Sequence, residues 1–359
     1  MFHVKHQMSG SFDRRRRLAR IRLIVAVALL LMFFRERLGP LGERLNPPLP
    51  RRLANNQGAW YAVPMTGARI IDGKALADRI KKEAAATVRS LAEKGVSVSL
   101  DAVLVGDPTA GEIYARSQRQ RCQEVGITYR LHTLKADARE DDIRGLLREL
   151  NEDRTVTGIL LNLPLPQGLD TPAIQYCIDP YKDVEGVNPA NIGLLFYDTP
   201  IIAPCTALAV LEVLKEAKVD PRGLEAVVVG QGAIAGRPVS LFLLQKMATV
   251  TCCHIATQDV YEHTRRADVL IVAVGKPGLI RAEHVKPGAT VIDVGINSVA
   301  DGSGGRKVVG DVAFEEVKNV AGVLTPVPGG VGPVTVAILL RSAAEAARQQ
   351  LATPRRLGS

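Results

Sequence analysis

Ala226-Val227-Val228-Val229-Gly230-Gln231-Gly232-Ala233-Ile234-Ala235-Gly236 runs an apolar stretch straight into three glycines within seven residues. A glycine-rich turn between a buried strand and a helix lets the backbone approach a pyrophosphate, whose charge the helix N-terminus meets. The spacing is Gly-x-Gly-x-x-x-Gly, one residue longer than the usual dinucleotide fingerprint, and alone it also suits a plain strand-to-helix turn. The continuation decides between the two. Strands are expected at Val250–His254, at Val269–Val274 ending in Gly275, and at Thr290–Val294 ending in Gly295. Successive strands that end at one edge are what a Rossmann-type domain requires.

Upstream, Ile70 begins a second regular pattern. A short apolar strand is followed by Gly73-Lys74-Ala75-Leu76, which opens a helix to about Lys94, and then by a strand over Ser99–Gly106. The next helix carries Tyr114, Gln118 and Cys122, and Gly126 closes it as a C′ glycine. A further strand, a helix around Asp141–Asn151 and a strand over Gly158–Leu163 continue the alternation. The expected class is therefore α/β, with parallel sheets and helices on their faces. After Pro204-Cys205-Thr206, a helix through Leu208–Glu216 is expected to bridge the two lobes.

At 359 residues the chain has room for two domains, and 47% apolar with 23% charged residues is a globular composition. The net charge of +9 is unevenly placed: residues 1–64 hold 12 Lys/Arg against 3 Asp/Glu, leaving 34 of each in the remainder. The globular part is formally neutral, so nothing in its bulk charge favours a nucleic-acid partner. Five cysteines without a C-x-x-C pair point to a reducing compartment and away from structural disulfides or zinc. No metal is expected.

In the N-terminal segment Arg14–Arg17 precede the apolar run Leu23–Phe34, the order of a signal peptide. The run is short for a bilayer span and no small-x-small cleavage site follows. A membrane anchor is the less favoured reading; the preferred one is an extension outside the fold, with Met65 standing just before the first domain residues. A chain begun at Met65 is expected to fold and turn over substrate, which expression and assay of that shorter chain would check.

Four segments go beyond fold: Lys182-Asp183-Val184-Glu185-Gly186, Val274-Gly275-Lys276-Pro277, Val291-Ile292-Asp293-Val294-Gly295-Ile296-Asn297, and Thr325-Pro326-Val327-Pro328-Gly329-Gly330-Val331-Gly332-Pro333-Val334-Thr335. With Val105-Gly106-Asp107 and Pro204-Cys205-Thr206, they resemble the bifunctional methylenetetrahydrofolate dehydrogenase/cyclohydrolase family, in order and in spacing, over about residues 66–348. A Pro/Gly turn explains the last loop alone, but not the other segments in register with it.

The resemblance implies an N-terminal α/β folate-binding domain (65–204 plus 334–352), a Rossmann-type NAD(P)-binding domain (205–333), and a cleft between them where folate and nicotinamide meet. Thr335–Ala347 would be the helix that rejoins the first domain. It also implies a small-molecule folate substrate with tetrahydrofolate as one-carbon carrier, NADP or NAD as cofactor, a homodimer, and a cytoplasmic place in one-carbon metabolism. Neither nucleic acid nor a membrane is an expected partner.

The same resemblance assigns candidate residues. Tyr114 matches the tyrosine of the family's Tyr-x-x-x-Lys motif, but the lysine position is Gln118. An amide can hydrogen-bond the substrate, yet it cannot take or give a proton near neutral pH. Arg116, Arg119 and Arg121 are on other faces of the helix. The family's glutamine after the next strand is Asn162, one methylene shorter, and the pterin-binding aspartate is Glu185. Tyr114, Gln118, Asn162 and Glu185 are the candidate catalytic set. Tyr114, Glu185, Pro328, Gly329 and Gly330 would bind folate.

Gly230, Gln231, Gly232, Ile255 and Ile296 would line the cofactor. Gln231 and Ile255 stand where the family carries arginine and serine for the 2′-phosphate of NADP, and no acidic residue ends the second strand to hold a free ribose. Cofactor preference stays open. So does the second activity: the readings are a dehydrogenase with weakened hydrolysis, a fully bifunctional enzyme, or a silent folate-binding paralogue.

Overall fold

The structure, a computed structural model, describes residues 67–106, 108–301 and 304–352, with the side chains of 108–114 outside that description. The expected extension, 1–64, and the Tyr114 side chain therefore lie outside the described residues.

Two parallel sheets carry the molecule. The first is three-stranded, β2 (Ser99–Val105) between β3 (Thr128–Leu134) and β4 (Ile159–Leu161). Helices α1 (Gly73–Ala92), α2 (Pro108–Val125) and α3 (Glu140–Glu152) alternate with its strands. The second has six strands in the order β1-β11-β8-β7-β5-β6: β1 (Arg69–Ile70), β5 (Glu225–Val229), β6 (Thr249–Cys253), β7 (Val269–Val272), β8 (Thr290–Asp293) and β11 (Val323–Leu324). The strand expected at Ile70 pairs in parallel with β11, so the chain contributes its first strand to the dinucleotide-type sheet before building the other. A hairpin of β9 (Asn297–Ala300) and β10 (Arg306–Val309) stands apart as an antiparallel pair.

Helix α1 is amphipathic, burying Leu76, Ala77, Ile80, Ala84, Val88 and Leu91, and Asp72 caps it by accepting from Ala75 N at 3.0 Å. The returning helix spans Val331–Ala352, longer at both ends than expected. Its alanines Ala343, Ala344 and Ala347 are buried, and small side chains of this kind allow close approach of neighbouring helices. Both helices serve two cores. Leu76, Ile80, Val334 and Ile338 pack with the six-stranded sheet, whereas Val88, Leu91, Leu340 and Ala344 pack with the three-stranded one. Burying each large aliphatic side chain contributes roughly 1.5–3 kcal/mol, so moving the lobes apart would forfeit several such terms at once. The helix expected over Leu208–Glu216 spans Cys205–Glu216, starting earlier than expected and ending at the same residue, and it joins the first of these cores. Among the described residues no helix is long and apolar enough to cross a membrane.

Candidate active site

Helix α2 follows β2 and places Gln118 between Asn162, just past the carboxyl end of β4, and Tyr129 of β3. Gln118 is only 5% exposed. Gln118 Nε2 donates to Asn162 Oδ1 at 3.5 Å, and Tyr129 Oη donates to Gln118 Oε1 at 2.9 Å. Asn162 directly follows β4, with its own N–H bonded to Val103 O at 2.9 Å. The position to which the resemblance assigned a lysine thus holds a neutral, buried amide joined to the Asn162 amide. Arg116 and Arg119 are exposed, and the Arg119 guanidinium lies 5.8 Å from the Tyr129 ring centroid, so neither stands in for the lysine.

Glu185 belongs to the same edge. Ile159 bridges in parallel to Asp183, which sets Glu185, two residues on, level with the end of β4. Burial, reinforced by the neighbouring Asp183 carboxylate, pushes Glu185 up to about 7. Asp183 serves the turn: it accepts from Gly186 N at 3.1 Å, Asn188 N at 2.7 Å and Asn191 Nδ2 at 3.2 Å. Burial still raises it against these bonds. Lys182 Nζ donates to the carbonyls of Leu150, Asn151 and Asp153, satisfying the open C-terminal end of α3. Motif residues 182 and 183 hold the loop that presents Glu185.

At the carboxyl edge of the six-stranded sheet the glycine turn has the expected form. Gly230 has φ +97°, and a Cβ on Gly236 would meet Gly230 O at 1.8 Å, so neither position accepts a side chain. Gly232 has nothing within 4 Å of its Cβ position, leaving open backbone before the ten-residue helix Gly236–Gln245. This cradle fits a dinucleotide pyrophosphate. Gln231 turns inward instead of toward a ligand: its Nε2 donates to Val228 O at 3.2 Å and Ser240 Oγ at 3.4 Å. Ile255, past β6, is fully exposed, and Ile296, past β8, is 68% exposed.

The motifs Val274–Pro277 and Val291–Asn297 are held by two buried carboxylates. Asp311 accepts from Val274 N, Gly275 N, Lys276 N and Asn297 Nδ2, all between 2.7 and 3.0 Å. Asp293 accepts from Gly295 N, Asp311 N and Val312 N, and burial lifts it to about 6 despite those bonds. Sequence reading missed Asp311. Its signal was the Gly310-Asp311 pair, because a Cβ at Gly310 would lie 1.9 Å from Asp293 Oδ2.

The Pro328–Pro333 loop joins the lobes. Gly73 N donates to Gly329 O at 3.0 Å, and a Cβ at Gly73 would lie 1.9 Å from Gly330 O. The loop that the resemblance assigned to folate thus seats directly on the start of α1.

Two family profiles match in succession: the catalytic domain of tetrahydrofolate dehydrogenase/cyclohydrolase over residues 71–185, and its NAD(P)-binding domain over 204–351. The bifunctional protein FolD of Pelobacter propionicus is 45% identical over 285 residues, 79% of this chain and 99% of its own length. The chain belongs to the tetrahydrofolate dehydrogenase/cyclohydrolase family. The bifunctional family enzyme of Campylobacter jejuni has a crystal structure matching at a TM-score of 0.75 and 41% identity, over 79% of this chain and 99% of that one. The Trypanosoma brucei family member, complexed with NADP cofactor and inhibitor, matches at a TM-score of 0.76 and 38% identity, over 80% and 100%.

The inward turn of Gln231 bears on cofactor choice. A neutral amide spent on Val228 O and Ser240 offers no charge-assisted bond to a 2′-phosphate. Discrimination for NADP over NAD is expected to stay below about a hundredfold, roughly 2.7 kcal/mol of differential binding. Titration with both cofactors checks this. A larger ratio would mean that another cation has taken over, the exposed Arg237 in the first turn of Gly236–Gln245 being the first to examine.

Proposed function

We propose that this chain oxidises 5,10-methylenetetrahydrofolate to the 5,10-methenyl form with a nicotinamide cofactor, and that its hydrolysis of the methenyl form is weak. The observation that carries the reading is the buried Gln118 amide, bonded to Tyr129 and Asn162, in a site whose cofactor cradle is otherwise intact. Hydride transfer needs placement and a dry site, which binding geometry supplies. The nicotinamide, when bound, supplies the hydride acceptor.

The chain's own residues do the rest. Gln118 and Asn162 hold the folate by hydrogen bonds, Glu185 pairs with the pterin nitrogens, and Tyr114 lies one helical turn before Gln118 on the same face. Pro328, Gly329 and Gly330 line the cleft, while Gly230 to Gly236 receive the pyrophosphate. Addition of water to the methenyl cation needs proton movement, and neither amide can move a proton. The division into a folate lobe (65–204 with 334–352) and a cofactor lobe (205–333), a homodimer and a cytoplasmic location belong to the same reading.

Purified protein assayed for reduction of NADP and of NAD in the presence of methylenetetrahydrofolate tests it. Hydride transfer with at least one cofactor is expected. Binding of neither cofactor in the presence of folate would replace the reading with that of a silent folate-binding protein.

A further inference from the structure

Gln118 has two chemically different ends, and the structure uses them differently. Its Oε1 accepts from Tyr129 Oη at 2.9 Å, and its Nε2 points at Asn162 Oδ1, 3.5 Å away. A primary amide carries two N–H groups, so one remains beyond the contact with Asn162. With the oxygen occupied by the phenol, the end left for a ligand is a donor.

Tyr129 is well placed to impose this polarity. It lies on β3, paired in register with Leu100 of the buried strand β2, and it is half-buried among the residues packed on that core. The Arg119 guanidinium over its ring adds a contact on the helix side. A strand-borne phenol of this kind is a fixed point, whereas the glutamine side chain opposite it is not. Without the phenol donor, the terminal amide could rotate and present oxygen to the site.

We propose that Tyr129 is a positioning residue for the folate site, holding Gln118 so that its N–H faces an acceptor of the bound ligand, a ring carbonyl or ring nitrogen of the pterin class. The inference rests on the reading of Gln118 as a substrate-holding group. It adds a residue outside every motif that identified the family. It also explains how Gln118 retains a function in binding while the acceptor that an attacking water would need is closed off.

The test is a double-mutant cycle read in the Kd for tetrahydrofolate, a probe that does not turn over, by calorimetry on the full chain. Tyr129→Phe keeps the ring that Arg119 covers and removes only the hydroxyl. It should weaken tetrahydrofolate about three- to tenfold, the scale of one part-buried hydrogen bond, and change kcat for hydride transfer less than about twofold. In a Gln118→Ala background the same substitution should change Kd no further, because its effect runs through the amide. Equal weakening in both backgrounds would show a merely structural tyrosine and overturn the proposal, as would no weakening in the native background.

Gln118→Glu keeps an oxygen for Tyr129 and deletes the N–H, so it should weaken tetrahydrofolate at least as much. Native affinity in that variant overturns the donor assignment even if Tyr129→Phe fails to fold. Should the native chain bind no tetrahydrofolate, the folate reading itself fails and the inference with it. A native chain that binds, combined with an additive cycle, rejects the inference alone.

Discussion

Methenyltetrahydrofolate hydrolysis by this protein should run on the order of 10²–10⁴-fold below that of lysine-bearing relatives, while hydride transfer falls far less. That range is the typical cost of losing a positioned proton-transfer group, and only the hydrolytic step depends on one. The geometry sharpens the expectation, because the place is not vacant: Gln118 is buried and bonded at both ends. Gln118→Lys alone should restore little. Asn162 already reaches Gln118 only at 3.5 Å, and its short stem would hold a new lysine side chain poorly, leaving the amine out of position for proton transfer. The pair Gln118→Lys with Asn162→Gln should recover more hydrolysis than the product of the single effects, measured as a cycle at fixed dehydrogenase activity. If the native protein hydrolyses the methenyl form as fast as it oxidises the methylene form, the relay argument is wrong and the site is fully bifunctional.

Folate binding should strengthen with pH up to about 7 and then level off. Glu185 is pushed up to about 7 by burial and by Asp183, so below that pH it is largely a neutral acid. Pairing with the pterin nitrogens takes the ionised form, and each pH unit below the pKa then costs roughly tenfold in Kd, about 1.4 kcal/mol. Between pH 5.5 and 7 this amounts to about fifteenfold, because half of the carboxyl is still protonated at pH 7. The sign for stability is opposite. A carboxyl raised in the folded chain binds its proton more tightly there than when unfolded, so its contribution falls as pH rises from about 4.5 to about 7. Kd for tetrahydrofolate across this range, in the native chain and in Glu185→Gln, separates the two effects. A flat native profile, or a slope that survives in Glu185→Gln, would remove Glu185 from the pterin contact.

Much of the architecture was legible in the residues. The strands expected at Ala226–Val229, Val250–His254 and Thr290–Val294 each fall within one residue of the observed ends, because short runs of β-branched and apolar residues announce themselves locally, two of the three closed by glycine. The helix with Gln118 ends at Gly126 with φ +82°, a conformation glycine adopts without strain. Gln118, Asn162 and Glu185 were singled out as candidates because the resemblance fixes the register of the motifs around them. Such signals depend on neighbours in the chain, and the sequence by itself determines them.

The tertiary structure decided what depends on distant partners. The pairing of β1 with β11 joins residues about 250 positions apart, and no periodicity in a two-residue strand could assign it. Asp311 holds backbone N–H groups 35 to 37 residues away, and Tyr129 reaches Gln118 from a neighbouring strand rather than from the same helix. The inward turn of Gln231 and the rise of Glu185 to about 7 likewise follow from surroundings that only folding assembles. A hydrogen bond to a remote group leaves no repeat in the sequence, and desolvation is a property of everything packed around a side chain. The family and its motifs are therefore written locally, whereas the state of each functional group is set by the fold.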